Sequence, residues 1–307
     1  MSSDTKRANL FIVGAPKCGT TTLMHWLSQH PSIFSPEIKE PHFYNDDSNH
    51  RILRTEFEYL KLYDCPQSFN AKYRLDSSVW YFYSSRAINR IEEKLNKSAK
   101  YIVCLRDPAE MAVSLHQEMF MGGSENVKDF WRAWDLQETR ALGKCIPGSA
   151  HESKHLQYRD ICSLGKYSEM LSKTINDPER LLFVSLNEMN ASPLATLERI
   201  YAFLGIQNCN QSVQLDVFNK ARKPKSYWLD RFFKKLLALR YGPLRWLPQI
   251  GLLKLIKAKN VNGSGGKINE LRPEDHERLR VEFKEDLELL EAVTGKDISC
   301  KHSELRK

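Results

Sequence analysis

Apolar residues along this chain fall into two alternating rhythms. Leu10 to Val13, Tyr101 to Leu105 and Leu181 to Ser185 have the length and flanks of buried strands, and Lys72 to Leu75 reads as a shorter strand ending at Asp76. Between them apolar positions recur at helical spacing: Leu23, Trp26 and Leu27, then a stretch over 53–63, then Ile88, Ile91 and Leu95. Farther on, Leu194, Leu197, Ile200, Tyr201 and Leu204 form a helical face closed by Gly205. Pro273-Glu-Asp opens a last helix through Leu279, Phe283, Leu287 and Leu290, closed by Gly295. Strands alternating with helices predict an α/β fold with a mainly parallel central sheet flanked by helices, as one domain over 1–307.

Other stretches break these rhythms. His30-Pro31 ends the first helix, and Ile33 to Tyr44 predicts a proline-punctuated loop. Residues 130–173 read as helical and charged, broken at Gly143 to Ser149 and at Ser163-Leu-Gly-Lys-Tyr. Residues 223–262 change character, with Leu229, Phe232, Phe233, Leu236 and Leu237 on one helical face and Arg231, Lys234 and Lys235 opposite. Such a basic amphipathic segment suits packing on the core, membrane-surface contact through 226–257, or a dimer face. Asn262-Gly-Ser-Gly-Gly-Lys267 follows as a loop whose glycines let backbone approach a ligand.

Composition narrows the picture only slightly. With 41% hydrophobic and 27% charged residues the chain is ordinary for a soluble protein. Its net charge of +8 suits an anionic cofactor or acidic substrate, but equally nucleic acid or an anionic membrane. No apolar stretch with a small-residue cleavage site opens the sequence, and no apolar run is long enough to span a bilayer. The seven cysteines are scattered, odd in number and without a Cys-x-x-Cys pair, which favours reduced thiols over a disulfide framework or zinc site. The expectation is a cytoplasmic protein with no metal and no nucleic-acid partner, whose oligomeric state is open.

The chemistry centres on Gly14-Ala-Pro-Lys17-Cys18-Gly19-Thr20-Thr21-Thr22, a glycine loop between the first strand and the first helix. Inward-turned N–H groups and the helix N-terminus at Thr20 to Thr22 favour phosphate. A triphosphatase loop requires Lys and then Ser or Thr after its second glycine, whereas here Thr20 and Thr21 follow Gly19 and the lysine lies inside the loop. A second site candidate follows another strand: Arg106-Asp107-Pro108 with Ser114 about two helical turns on, so both residues can face the carboxyl edge of the sheet. An arginine fork plus a hydroxyl suits a phosphate dianion.

The first loop resembles the 5′-phosphosulfate loop of the sulfotransferases that use PAPS (3′-phosphoadenylyl sulfate). Leu105-Arg-Asp-Pro-Ala-Glu-Met-Ala-Val-Ser114 resembles the segment that grips the 3′-phosphate of that donor. Lys39-Glu40-Pro-His42-Phe-Tyr resembles the acid-bearing loop of the heparan sulfate and related bacterial branch, in which the glutamate is the catalytic base. The resemblance implies a P-loop-like fold and sulfuryl transfer from PAPS to a hydroxyl, less readily an amine, of a carbohydrate, lipid-linked or small-molecule acceptor. It implies Lys17, Cys18, Gly19, Thr20, Thr21, Thr22, Arg106 and Ser114 as donor-binding residues, Lys17 at the leaving phosphate and Glu40 as base. His42 is the competing base, because the ordinary histidine pKa is nearer neutrality. By analogy Lys267 closes over the 3′-phosphate. Three departures leave the acceptor open. Asp76-Ser77-Ser78 stands where the heparan sulfate enzymes carry a second lysine, the paired cysteines near their C-terminus are not evident, and Leu186-Asn187-Glu188 replaces a tyrosine of the cytosolic branch. A kinase or other triphosphate-hydrolysing enzyme with Asp76 as magnesium ligand is one alternative class, and a catalytically silent nucleotide-binding protein is another.

Overall fold

A computed structural model describes residues 7–49, 51–150, 152–209, 213–216, 223–224, 261–262 and 271–298. The basic segment at 226–257 and the loop carrying Lys267 lie outside the described residues.

The strands are β1 (Leu10–Gly14), β2 (Ile33–Phe34), β3 (Tyr73–Ser77), β4 (Lys100–Leu105) and β5 (Leu181–Ser185). They form an all-parallel sheet in the order β2-β3-β1-β4-β5. A separate antiparallel pair joins β6 (Lys223–Pro224) to β7 (Val261–Asn262). Leu10 to Val13 and Tyr101 to Leu105 are wholly buried because helices cover both faces of the sheet, which is why these strands are unbroken apolar runs. β5 is half-buried over Leu181 to Phe183, as an edge position requires.

Helices in chain order are α1 (Thr20–Leu27), α2 (Glu56–Lys61), α3 (Pro66–Asn70), α4 (Ser85–Lys94), α5 (Pro108–Gly122), α6 (Phe130–Asp135), α7 (Gln137–Ala141), α8 (Tyr158–Cys162), α9 (Leu164–Ile175), α10 (Leu186–Ala191), α11 (Pro193–Leu204), α12 (Pro273–Glu282) and α13 (Lys284–Thr294). The aromatic cluster after β3 forms a 3-10 turn over Val79–Tyr83.

Several sequence expectations change in detail. The loop expected over Ile33 to Tyr44 begins with β2, which adds to the sheet by pairing Ile33 with Tyr73 and Phe34 with Arg74. The expected break at Ser163-Leu-Gly-Lys-Tyr narrows to Ser163, because α9 already starts at Leu164. There Asp286 on α13 accepts from the Gly165 and Lys166 amides at 2.8 and 2.9 Å and so caps the helix from outside. Glycine is required at 165 by close approach, since a Cβ would lie 2.2 Å from the Asp286 carbonyl oxygen. The last helix divides at Phe283, which is buried beside Trp134.

Candidate active site

In an open parallel sheet a crevice forms at the carboxyl edge where the strand order reverses. Here that point lies between β1 and β4, whose chain neighbours run off in opposite directions. Each of these strands turns at that edge into a helix, and each turn carries one of the two candidate motifs.

The first turn is tight. Lys17 has φ 64° and Gly19 φ 89°, both left-handed, and a Cβ on Gly19 would lie 2.8 Å from Leu186 Cδ1. The first intrahelical bond of α1 runs from the Leu23 amide to the Gly19 carbonyl, so the amides of Thr20, Thr21 and Thr22 come before the ladder begins. At the second turn Pro108 occupies the first helical position, and the Asp107 carboxylate caps α5 by accepting from the Ala109 and Glu110 amides at 2.9 and 3.1 Å. Arg106 Nη1 donates to the Lys17 carbonyl at 3.1 Å, which locks the two turns together.

A cavity of about 320 Å³ opens between them. Lys17, Gly19, Thr20, Thr21, Thr22, Arg106 and Ser114 line it, as does Glu40. The structure therefore brings these sequence candidates together. Cys18 is not among the lining residues: its side chain is fully buried, its thiol donates to the Pro16 carbonyl at 3.4 Å, and burial pushes its pKa up to about 12 against the pull of Arg106 and Lys17. Lys267 lies outside the described residues.

Glu40 and His42 flank Pro41 with φ values of 65° and 49°. The loop is held in this shape from below. The His42 amide donates to Ser78 Oγ at 3.1 Å, and the Tyr44 amide to the Tyr81 hydroxyl at 3.2 Å. Ser78 and Tyr81 in turn donate to the buried Asp76 carboxylate at 2.6 and 3.1 Å, joined by Tyr59 at 2.9 Å. Burial raises the Asp76 pKa in spite of these hydrogen bonds. Asp76 is thus a support beneath the acid loop, with both carboxylate oxygens committed to protein hydroxyls, and it is not placed to meet a metal bound in the cavity.

His42 is wholly buried and does not line the cavity; its Nε2 stands 3.5 Å from Glu40 Oε2. Burial by itself would raise the Glu40 pKa, but the bond to His42 and the neighbouring Lys39 ammonium outweigh it and lower the carboxyl to about 2. Lys39 also donates to Glu40 Oε1. The two candidate bases are therefore stacked in depth, with the carboxylate in front and the imidazole behind.

Sequence reasoning missed two acids. Glu118 lines the cavity and its Oε2 lies 2.6 Å from Lys17 Nζ, while Glu110 Oε2 accepts from Arg106 Nε and Nη2 at 3.1 and 2.9 Å. The available signal was helical spacing, because Glu110, Ser114 and Glu118 recur every fourth residue on one face of α5. Pro16 of the first turn also lines the cavity, and Val79, Trp80, Met119, Leu186, Met189 and Asn190, which carry no motif of their own, complete the lining.

Residues 7–237 match the family described as "Sulfotransferase domain". Human bifunctional heparan sulfate N-deacetylase/N-sulfotransferase 3 is 26% identical over 202 residues, 64% of this chain and 22% of that protein. Mouse heparan sulfate glucosamine 3-O-sulfotransferase 5 is 27% identical over 233 residues, 74% of this chain and 61% of that protein. The chain thus spans only about a fifth of the length of the bifunctional relatives. The crystal structure of a sulfotransferase from Alicyclobacillus acidocaldarius shares the fold, with a TM-score of 0.67 and 22% identity over 95% of this chain and 97% of that one. Because the family match takes in the entire parallel sheet together with both of these turns and the acid loop, the chain belongs to the sulfotransferase family.

Proposed function

We propose that this chain transfers the sulfuryl group of PAPS to a hydroxyl on a carbohydrate, lipid-linked or small-molecule acceptor. The observation that carries the reading is the convergence of Lys17, Arg106, Ser114 and Glu40, from three separate stretches of sequence, on one cavity at the carboxyl edge of the sheet. Arg106 and Ser114 bind the 3′-phosphate. Lys17 and the first-turn amides of α1 offset the charge that grows on the departing 5′-phosphate, where preorganised donors are most effective. Glu40 takes the acceptor's proton as the acceptor oxygen or nitrogen attacks sulfur. The new bond to sulfur forms, the bond to the bridging oxygen breaks, and its electron pair leaves with adenosine 3′,5′-bisphosphate. Lys39 and His42 keep the carboxylate ionised and aimed.

An amine acceptor is the second reading, favoured by the relatives named as N-sulfotransferases. Labelled PAPS offered with N-deacetylated heparosan, which carries free amines, and with its fully N-acetylated counterpart, whose acceptor groups are hydroxyls, separates the two. We expect label in at least one polysaccharide, or in a phenol, sterol or glycolipid panel run alongside, and none with the Lys17→Ala variant. Equal incorporation by Lys17→Ala and the parent chain would remove the proposed role of the loop.

A further inference from the structure

The face of α5 that borders the cavity presents Glu110, Ser114 and Glu118 in register, and each carboxylate engages one of the two cations assigned to the donor. The two pairs differ in kind. Arg106 has five N–H donors in a planar fork, and Glu110 takes those on Nε and Nη2 while the Lys17 carbonyl takes one on Nη1, so N–H directions remain for a phosphate. Lys17 is a point charge, and Glu118 sits directly on it at 2.6 Å. A phosphate drawn to the same ammonium would stand close to the Glu118 carboxylate, and two like charges in such proximity repel.

We propose that Glu118 is an exchangeable counter-ion for Lys17: it holds the ammonium while the donor site is vacant and swings away when the 5′ anion of the donor arrives. The inference rests on the donor reading given above. Its physical basis is the asymmetry of exposure. The Glu118 side chain is 50% exposed and that of Lys17 25%, so the carboxylate leaves for water at small cost while the ammonium stays in the cavity. The exchange gives the loop two properties. Lys17 stays ordered between turnovers, and only a strongly charged group displaces its partner, which disfavours weak monoanions and assists departure of the product. Glu118 thereby positions Lys17 and tunes donor affinity without a part in bond making.

The test is calorimetric titration of the full chain with adenosine 3′,5′-bisphosphate at low and at high salt. Glu118→Gln keeps length and helix propensity but removes the competing charge. At low salt it should tighten binding about three- to fivefold, the range expected of a half-exposed ion pair, and the gain should shrink at high salt. In a Lys17→Ala background the same substitution should change affinity little, because the competition is for that ammonium. Unchanged or weaker binding by Glu118→Gln would overturn the proposal, as would equal tightening in the Lys17→Ala background, which would mark a general field effect. If the parent chain fails to bind the bisphosphate at all, the donor reading falls and this inference with it. If the parent binds and Glu118→Gln does not tighten, only the inference falls.

Discussion

A left-handed backbone at a residue other than glycine costs about 1–3 kcal/mol and persists only where the surroundings enforce it. Lys17, Glu40 and His42 all adopt it, and Glu40 and His42 are enforced by the Asp76 network beneath their loop. Glu40→Gln leaves that network intact and removes the proposed proton acceptor, so turnover should fall about 10²–10⁴-fold while bisphosphate affinity holds. The pH profile supplies an independent check. With its pKa lowered to about 2, Glu40 stays ionised in the free enzyme, and the kcat/KM profile should show no acid limb from this group between pH 7 and about 4. An acid limb within that range would take the base role away from Glu40. For stability the sign is the usual carboxylate one. The ionised form contributes above the unfolded value of about 4.3, and that contribution is lost as pH falls toward about 2. Lys17, Arg106, Ser114 and Glu40 were legible in the sequence because each lies in a compact motif. Glu118 was not, because its meaning depends on a lysine in a distant turn that only folding brings within reach.

Elements with a long period of their own were equally legible: the strands at Leu10–Gly14 and Lys100–Leu105 and the helices at Thr20–Leu27, Ser85–Lys94 and Pro193–Leu204. β2 escaped because two residues carry no period, and it exists only through its pairing with β3. The division of the last helix at Phe283 escaped because its apolar spacing continues straight through, while the break is tied to burial beside Trp134. Gly165 shows tertiary contact overriding local preference. In an open helix Gly→Ala gains about 1 kcal/mol from propensity. Here the added Cβ would meet the Asp286 carbonyl at 2.2 Å and the Leu290 amide at 2.8 Å, both of them backbone of α13. Gly165→Ala should therefore destabilise the protein by about 1–3 kcal/mol, the usual cost of overpacking, read as a lower midpoint in urea. A rise in the midpoint would mean that α9 and α13 part freely.

Over the whole molecule, topology does what net charge cannot. A charge of +8 would serve several kinds of anionic partner, but the reversal of strand order between β1 and β4 brings the cations of two motifs to a single edge. On the proposed assignments the site counts phosphates, since each motif is given its own. Adenosine 3′,5′-bisphosphate should engage both, and at about 100 times its dissociation constant it should stabilise the fold by about 2.7 kcal/mol, seen as a rise of several degrees in Tm. ATP with magnesium should do much less, because it extends its phosphates from one end only and the turn at Gly19 lacks the lysine that a triphosphate loop places there. Adenosine 5′-phosphate isolates the second motif. It should bind more weakly than the bisphosphate by a charge-assisted pair, about 1.5–3 kcal/mol, and Arg106→Ala should abolish most of that difference while leaving 5′-phosphate binding nearly intact. Equal losses for both nucleotides would instead make Arg106 a strut between the two turns, through its bond to the Lys17 carbonyl, and the 3′-phosphate would then have to be held elsewhere.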